Sequence, residues 1–390
     1  MFKRNPVNLD FLRLFAALLV TAAHARSLTF ADFDSQEKMG FAKFVFFWIT
    51  SIGHASVLFF YVLSGFLVGG GIAKSVFESK FDMHTILINR LTRIWIALIP
   101  SLLLVFFLNQ ISCQRFISSS FCRGELPHNL SGSPIQLLHN FELFLKTAFF
   151  IVDKDEGANY FGGNQVLWTL QYEVAAYLVT IITACIASFF IWPQKSNAAW
   201  YTRVRMHHIL TLLFLGYWVY SQELGKEFIL YLLMFAFGTI SYLLSYYRNP
   251  NKGLQIGTGS FLFTLIVFGQ AVRIFPIKQV IGRVSISDLI FSILIAFLLS
   301  ITIISKPHNY GSNNNFWNTN FSFSLYLTHL PIQGLILGFN QNLGANTENS
   351  LILFLVMMII SLICAKIFAT LTEDRTFVVR KKILRWMHRK

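Results

Sequence analysis

The chain has 390 residues, of which 55% are hydrophobic and only 13% charged, with 42 phenylalanines and a mean hydropathy of +0.56. A soluble protein carries about a quarter charged residues, so this composition excludes an ordinary soluble enzyme and points to a polytopic membrane protein. The formal charge of +14 would suit a nucleic-acid partner, but the basic residues cluster between apolar segments, which argues for a bilayer and against nucleic acid.

From the N-terminus, apolar segments of about spanning length fall at 7–29, 43–68, 87–111, 165–192, 207–221, 227–247, 256–275, 287–305, 317–339 and 350–371. The expected fold class is therefore all-α: a polytopic membrane helical bundle of about ten transmembrane helices. An even number of crossings puts both termini on one side, where the loops hold about twice as many Lys and Arg as the opposite loops. The positive-inside rule then makes both termini cytoplasmic. Residues 1–375 form the expected membrane domain and 376–390 a basic cytoplasmic tail, suited to an anionic leaflet or simply solvated.

The first segment, "NLDFLRLFAALLVTAAHARSL", carries Asp10, Arg13 and His24. A charged residue at the centre of a spanning helix costs about 2.5–3.5 kcal/mol on insertion scales, so such residues mark function by default. Ala23-His24-Ala25 imitates a signal-peptidase site, but Asp10 and Arg13 interrupt the apolar region that a signal peptide needs. On a helix Arg13 and His24 point about 20° apart and lie about 16 Å apart along the axis, so they share a face. The plainer readings are a snorkelling arginine and a histidine bonded to backbone near the interface. Asp10, one turn before Arg13, favours an internal role.

In the second segment, "SVLFFYVLSGFLVGGG" places Ser64-Gly65 ahead of Gly69-Gly70-Gly71, which permits close approach of a ligand or of another helix. The third opens "NRLTRIW", with Arg90 and Arg93 at i,i+3 on one face. Two adjacent guanidiniums suit an anion such as phosphate, with positive-inside anchoring as the plainer reading. Cys113 and Cys122 fall in the longest non-cytoplasmic loop, 112–164, where a disulfide is expected. The fourth segment, "VLWTLQYEVAAYLV", carries Trp168 and Glu173. Glu173 lies at a depth similar to His24, so a pairing between them is permitted, and a bond to Tyr or Trp is the alternative. The ninth, "FSFSLYLTHLPI", carries Tyr326 and His329 before a kinking proline. No Cys/His spacing suggests a metal site, and no glycine-rich phosphate loop follows a strand.

These motifs resemble those of the acyltransferase-3 family, inner-membrane proteins of ten spans that acylate bacterial surface carbohydrates and some small molecules. "LDFLRLFAALLVTAAHA" is similar to the family's opening signature, "LFFYVLSGFLV" to its F-F-x-L-S-G-F element, and "RLTRIW" to its R-x-x-R motif. "LWTLQYEVAAYL" and "FSFSLYLTHLPI" resemble two further elements, and "FATLTEDRTF" retains Glu373 of a closing E-x-P segment without its proline. The resemblance implies that Arg13 and His24 are the essential pair, with Glu173 also catalytic. It further implies an acyl-CoA donor near Arg90, Arg93, Ser64 and Gly65, supporting roles for Asp10, Trp168, Tyr326 and His329, and a carbohydrate acceptor such as O-antigen or exopolysaccharide. No permanently bound cofactor is implied. His24 would act as base or as transient acyl carrier. The chain departs from many members at Leu58, where an acidic residue commonly precedes the two aromatics. That carboxylate's role is then absent or supplied elsewhere, for example by Glu173. The rival from another class is a transporter or flippase for a lipid-linked sugar or small solute, although no internal repeat is evident.

Overall fold

The computed structural model describes residues 8–30, 40–125, 134–151, 160–191, 213, 215–217, 226–248, 258–274, 279–281, 284–302, 321–342 and 350–387. The expected segment 207–221 lies largely outside the described residues. The rest is helical apart from one short ribbon, in which β1 (Gln279–Ile281) pairs antiparallel with β2 (Val284–Ser285).

Among the described residues, six helical stretches are long and apolar enough to cross a membrane: Leu9–Thr29, Phe41–Phe77, Met83–Arg115, Gln165–Ser188, Glu227–Tyr247 and Leu351–Trp386. Two shorter apolar helices cover Thr258–Ala271 and Ile286–Ile301. The helix Ser322–Asn342 is as long as the first stretch but is not among the six, with Thr328, His329, Gln333 and Gln341 along it. Many large apolar side chains face outward, Ile352 at 77% and Phe107 and Phe297 each at 60% exposure. A surface of that kind is stable against lipid. This is a helical, multi-pass membrane protein.

We number the helices α1 (Leu9–Thr29), α2 (Phe41–Thr50), α3 (Gly53–Ser64), α4 (Gly70–Phe77), α5 (Met83–Arg115), α6 (Ser120–Arg123), α7 (Phe141–Ala148) and α8 (Trp168–Ile191). Then follow α9 (Lys226–Tyr247), α10 (Thr258–Ile274), α11 (Ile286–Ile301), α12 (Ser322–Asn342), α13 (Leu351–Leu371) and α14 (Thr376–Met387). Helix starts are set locally. Ser350 accepts from the backbone of Leu353 to cap α13, and Ser285 with Asp288 forms a reciprocal capping box at α11. The tail expected to be basic folds as α14, exposing Phe377, Val378, Ile383 and Trp386 beside Arg385 and Lys382.

The chain divides into two compact units. One comprises Met1–Leu9, Val57–Asn89 and Leu170–Lys306; the other comprises Asp10–Ser56, Arg90–Thr169 and Pro307–Lys390. In the first, α3 passes into α4 through a single wide turn of π-helix, Gly65–Gly69. Backbone meets backbone here. A Cβ on Gly65 would lie 1.9 Å from the Phe235 carbonyl oxygen, and one on Gly238 1.9 Å from that of Val62. Thr239 donates to the Gly65 carbonyl at 3.2 Å, and further on Ser241 donates to Ala296 at 2.5 Å, joining α9 to α11. Leu58, the position of the departure, is fully buried in this packing.

In the second unit, α12 and α13 close a core with the C-terminal half of α1 that includes Ala22, Ala25, Leu330, Leu337 and Met357. Cys113 and Cys122 are disulfide-bonded, joining the end of α5 to α6. Below them Asn109 of α5, fully buried, donates to the Gly162 carbonyl at 2.7 Å and meets His139 at 3.2 Å. Burial holds the His139 imidazole below its ordinary pKa.

The glycine packing yields a paired test. Gly65→Ala is expected to destabilise the protein by about 1–3 kcal/mol, because two backbones must separate. Gly71→Ala, with nothing within 4 Å of the new methyl, is expected to be neutral or slightly stabilising. Thermal unfolding of both variants in one detergent checks the contrast.

Candidate functional site

In the second unit the two expected histidines meet. His24 comes from the C-terminal half of α1 and His329 from the first half of α12. Their ring planes lie 2° from parallel with centroids 5.1 Å apart, and His24 Nδ1 lies 2.9 Å from His329 Nε2, the edge-to-edge arrangement of an in-plane hydrogen bond. His329 is fully buried and His24 partly so.

The proton positions follow from one carbonyl. His329 Nδ1 lies 2.9 Å from the Leu325 oxygen, which can only accept, so Nδ1 carries the hydrogen. In the neutral ring His329 Nε2 then holds a lone pair, and His24 Nδ1 must donate to it. His24 is thereby fixed as the Nδ1–H tautomer, with a lone pair on Nε2, which has no protein partner among the described residues. A histidine held this way by a second residue is the arrangement a general base requires. Elsewhere the orienting group is often a carboxylate; here it is an imidazole anchored on backbone.

Three further contacts hold α12 in place. Pro331 lacks the N–H that would bond the carbonyl of Leu327 four residues earlier. Asn164 Nδ2 supplies the missing donor, reaching Leu327 O at 2.9 Å. Tyr326 OH bonds the Val166 carbonyl and the Thr169 hydroxyl just where Trp168 opens α8. At the start of α12, Glu373 Oε2 accepts from the Ser324 backbone at 2.9 Å and its hydroxyl at 2.6 Å. A carboxylate is favoured at that end of the helix dipole. The Arg93 guanidinium lies within electrostatic reach of Glu373.

Arg90 and Arg93 are both partly buried on α5, and Asp10 and Arg13 partly buried in the first turns of α1. Glu173 belongs to the first unit, where Ser64 donates to Glu173 Oε1 at 2.5 Å and Tyr177, one turn along α8, bonds the same oxygen. Ser64 Oγ and Tyr177 OH are themselves 2.8 Å apart. The tyrosine alternative for Glu173 is the one realised. Gly65, beside Ser64, is accounted for by its contact with Phe235.

The fold and the site together describe a multi-pass helical membrane protein with a hydrogen-bonded histidine pair joining α1 and α12. The family described as "Acyltransferase domain", acyltransferase-3, matches residues 7–370, nearly the whole chain. The chain belongs to that family, and the protein is a membrane acyltransferase. It is also similar to an uncharacterized protein of Haemophilus influenzae, 27% identical over 218 residues that cover 54% of this chain and 83% of the relative. No solved structure matches it.

Sequence reasoning missed Tyr177 and Asn164 as partners and the Ser324–Glu373 cap. Only Pro331 gave a signal, since a proline within a helix announces an unmet carbonyl four residues back. A double-mutant cycle tests the Asn164 assignment. Asn164→Leu is expected to cost about 1–3 kcal/mol by orphaning the Leu327 carbonyl. In a Pro331→Ala background, where an N–H returns to that carbonyl, most of the cost should disappear. Equal losses in both backgrounds, measured by chemical or thermal unfolding, would show that Asn164 acts elsewhere.

Proposed function

We propose that this protein is an O-acyltransferase of the bacterial inner membrane. It moves an acyl group, acetyl in the first instance, from cytoplasmic acyl-CoA to a hydroxyl of a surface or periplasmic carbohydrate. The observation that carries this reading is the locked His24–His329 pair, which leaves a lone pair on His24 Nε2. Ten spans with both termini cytoplasmic give the required geometry, with the donor inside and the acceptor outside. The basic helix α14 then lies on the anionic inner leaflet.

In the reaction, His24 Nε2 removes the proton of the acceptor hydroxyl as its oxygen attacks the thioester carbonyl. The tetrahedral intermediate collapses by breaking the carbon–sulfur bond, and the imidazolium returns its proton to the departing thiolate. The products are the ester and CoA thiol. While His24 is charged, its Nδ1–H bond to His329 strengthens, and the Leu325 carbonyl stabilises the far end of the chain. A placed general base contributes about 10²–10⁴-fold.

The donor's phosphates bind Arg90 and Arg93, with Arg13 completing the anion site. The separation of about 16 Å between Arg13 and His24 along α1 is comparable to an extended pantetheine arm. Asp10 orients Arg13. Glu373, within reach of Arg93, keeps the arginines from facing each other with no anion present. Ser64, Glu173 and Tyr177 form a second polar centre in the first unit.

His24→Ala is expected to insert normally and lose acylation to below a few per cent of wild type, read by mass spectrometry of surface polysaccharide. Retained acylation would rule out His24 as base. For the donor site, Arg90→Lys and Arg93→Lys should keep topology, which needs only charge. They should weaken CoA binding by about 1–3 kcal/mol, because lysine lacks the bidentate fork. Titration with CoA and with dephospho-CoA measures this; unchanged affinity in both variants would leave the arginines as anchors.

A further inference from the structure

Two carboxamides beside the histidine pair are only half used. Gln333 lies one turn beyond His329 on the same face of α12, about 6 Å along the axis, and is fully buried. Its Nε2 donates at 3.1 Å to the carbonyl of Thr21, three residues before His24. Asn164, 1% exposed, donates to Leu327 O, two residues before His329. In each case the amide oxygen, Gln333 Oε1 and Asn164 Oδ1, is buried with no hydrogen-bonding partner among the described residues. Neither amide can be turned round, because its oxygen would then face a carbonyl oxygen.

Each side chain therefore presents an oxygen that can only accept, that of Gln333 belonging to a residue one turn from His329. Buried acceptors are almost always satisfied in native proteins, and no described residue supplies the donor. The hydroxyl that attacks the thioester gives its own proton to His24 Nε2 and has none to spare. A neighbouring hydroxyl on the same acceptor keeps its proton. Resting on the acyl-transfer reading above, we propose that Gln333 is a specificity-determining residue: its Oε1 accepts a hydrogen bond from a hydroxyl adjacent to the one acylated. The site then prefers acceptors with vicinal hydroxyls over mono-alcohols and over deoxy analogues. A site built to hydrogen-bond a hydroxyl discriminates strongly against its absence, since its own buried oxygen is left unpaired.

The test uses the full-length protein in bilayer nanodiscs with acetyl-CoA as donor. The acceptors are methyl hexopyranosides, their monodeoxy analogues and 1-propanol, with product quantified by mass spectrometry. Wild type is expected to favour a glycoside over at least one monodeoxy analogue by about tenfold to a hundredfold in kcat/KM. This measurement needs no variant. In Gln333→Met, similar in length but lacking the amide oxygen, the acceptor KM should rise by at least about tenfold while the acetyl-CoA KM moves less than the acceptor KM. The penalty for the sensitive deoxy analogue should vanish.

An equal loss on parent and deoxy acceptors would mean that Gln333 only supports the fold. An unchanged acceptor KM would mean that a bound water occupies the oxygen. Wild type using 1-propanol as well as the glycosides, or using no glycoside, also overturns the proposal. The acyl-transfer reading fails separately, if His24→Ala transfers as well as wild type.

Discussion

A single hydrogen bond, from His24 Nδ1 to His329 Nε2, is the constraint on which the proposed chemistry depends. It selects one tautomer of His24 and thereby the atom on which a lone pair is presented. That selection depends in turn on the Leu325 carbonyl, which forces the proton of His329 onto Nδ1. A backbone carbonyl thus does at this site what a carboxylate does in many hydrolases: it fixes a proton by being unable to donate. In a bilayer this solution avoids the cost of burying a further full charge beside the base.

The bond is only as well placed as α12. That helix is weakened in its middle by Pro331 and repaired by Asn164, capped by Glu373, and tied to the start of α8 by Tyr326. The disulfide, the Glu373 cap and the amides of Asn109, Asn164 and Gln333 all lie in the unit that holds the histidines. The other unit is held differently, by glycines that bring backbones together at the Gly65–Gly69 turn. A wide π-turn next to Ser64, whose hydroxyl bonds Glu173, places irregular backbone beside a polar cluster, as π-bulges often do.

Much of this was legible in the sequence, for identifiable reasons. Apolar length and charge placement reveal a membrane bundle, because lipid admits few alternatives to a helix. His24, Arg13 and Glu173 stood out because ionisable groups in spans are costly enough to be informative. The partners were not legible. Nothing in the chain states that His24 meets a residue 305 positions away, or that Glu173 takes Ser64 and Tyr177 instead. Depth allowed a His24–Glu173 pair, but depth fixes one coordinate, and helix packing fixes the others. Gln333 looked like any polar residue in a span until its buried oxygen was found without a partner among the described residues, one turn from His329.

The most direct test of the central claim reads the protons themselves. Solid-state NMR of protein labelled with ¹⁵N-histidine, reconstituted in bilayers near neutral pH, distinguishes protonated from bare ring nitrogens, with His24→Asn and His329→Asn assigning the signals. The account predicts that both rings are neutral, with hydrogen on Nδ1 and a lone pair on Nε2, and that the His24 Nδ1 proton correlates with His329 Nε2. Finding His24 protonated on Nε2 in the resting protein would contradict it, because the base would then have no lone pair to offer.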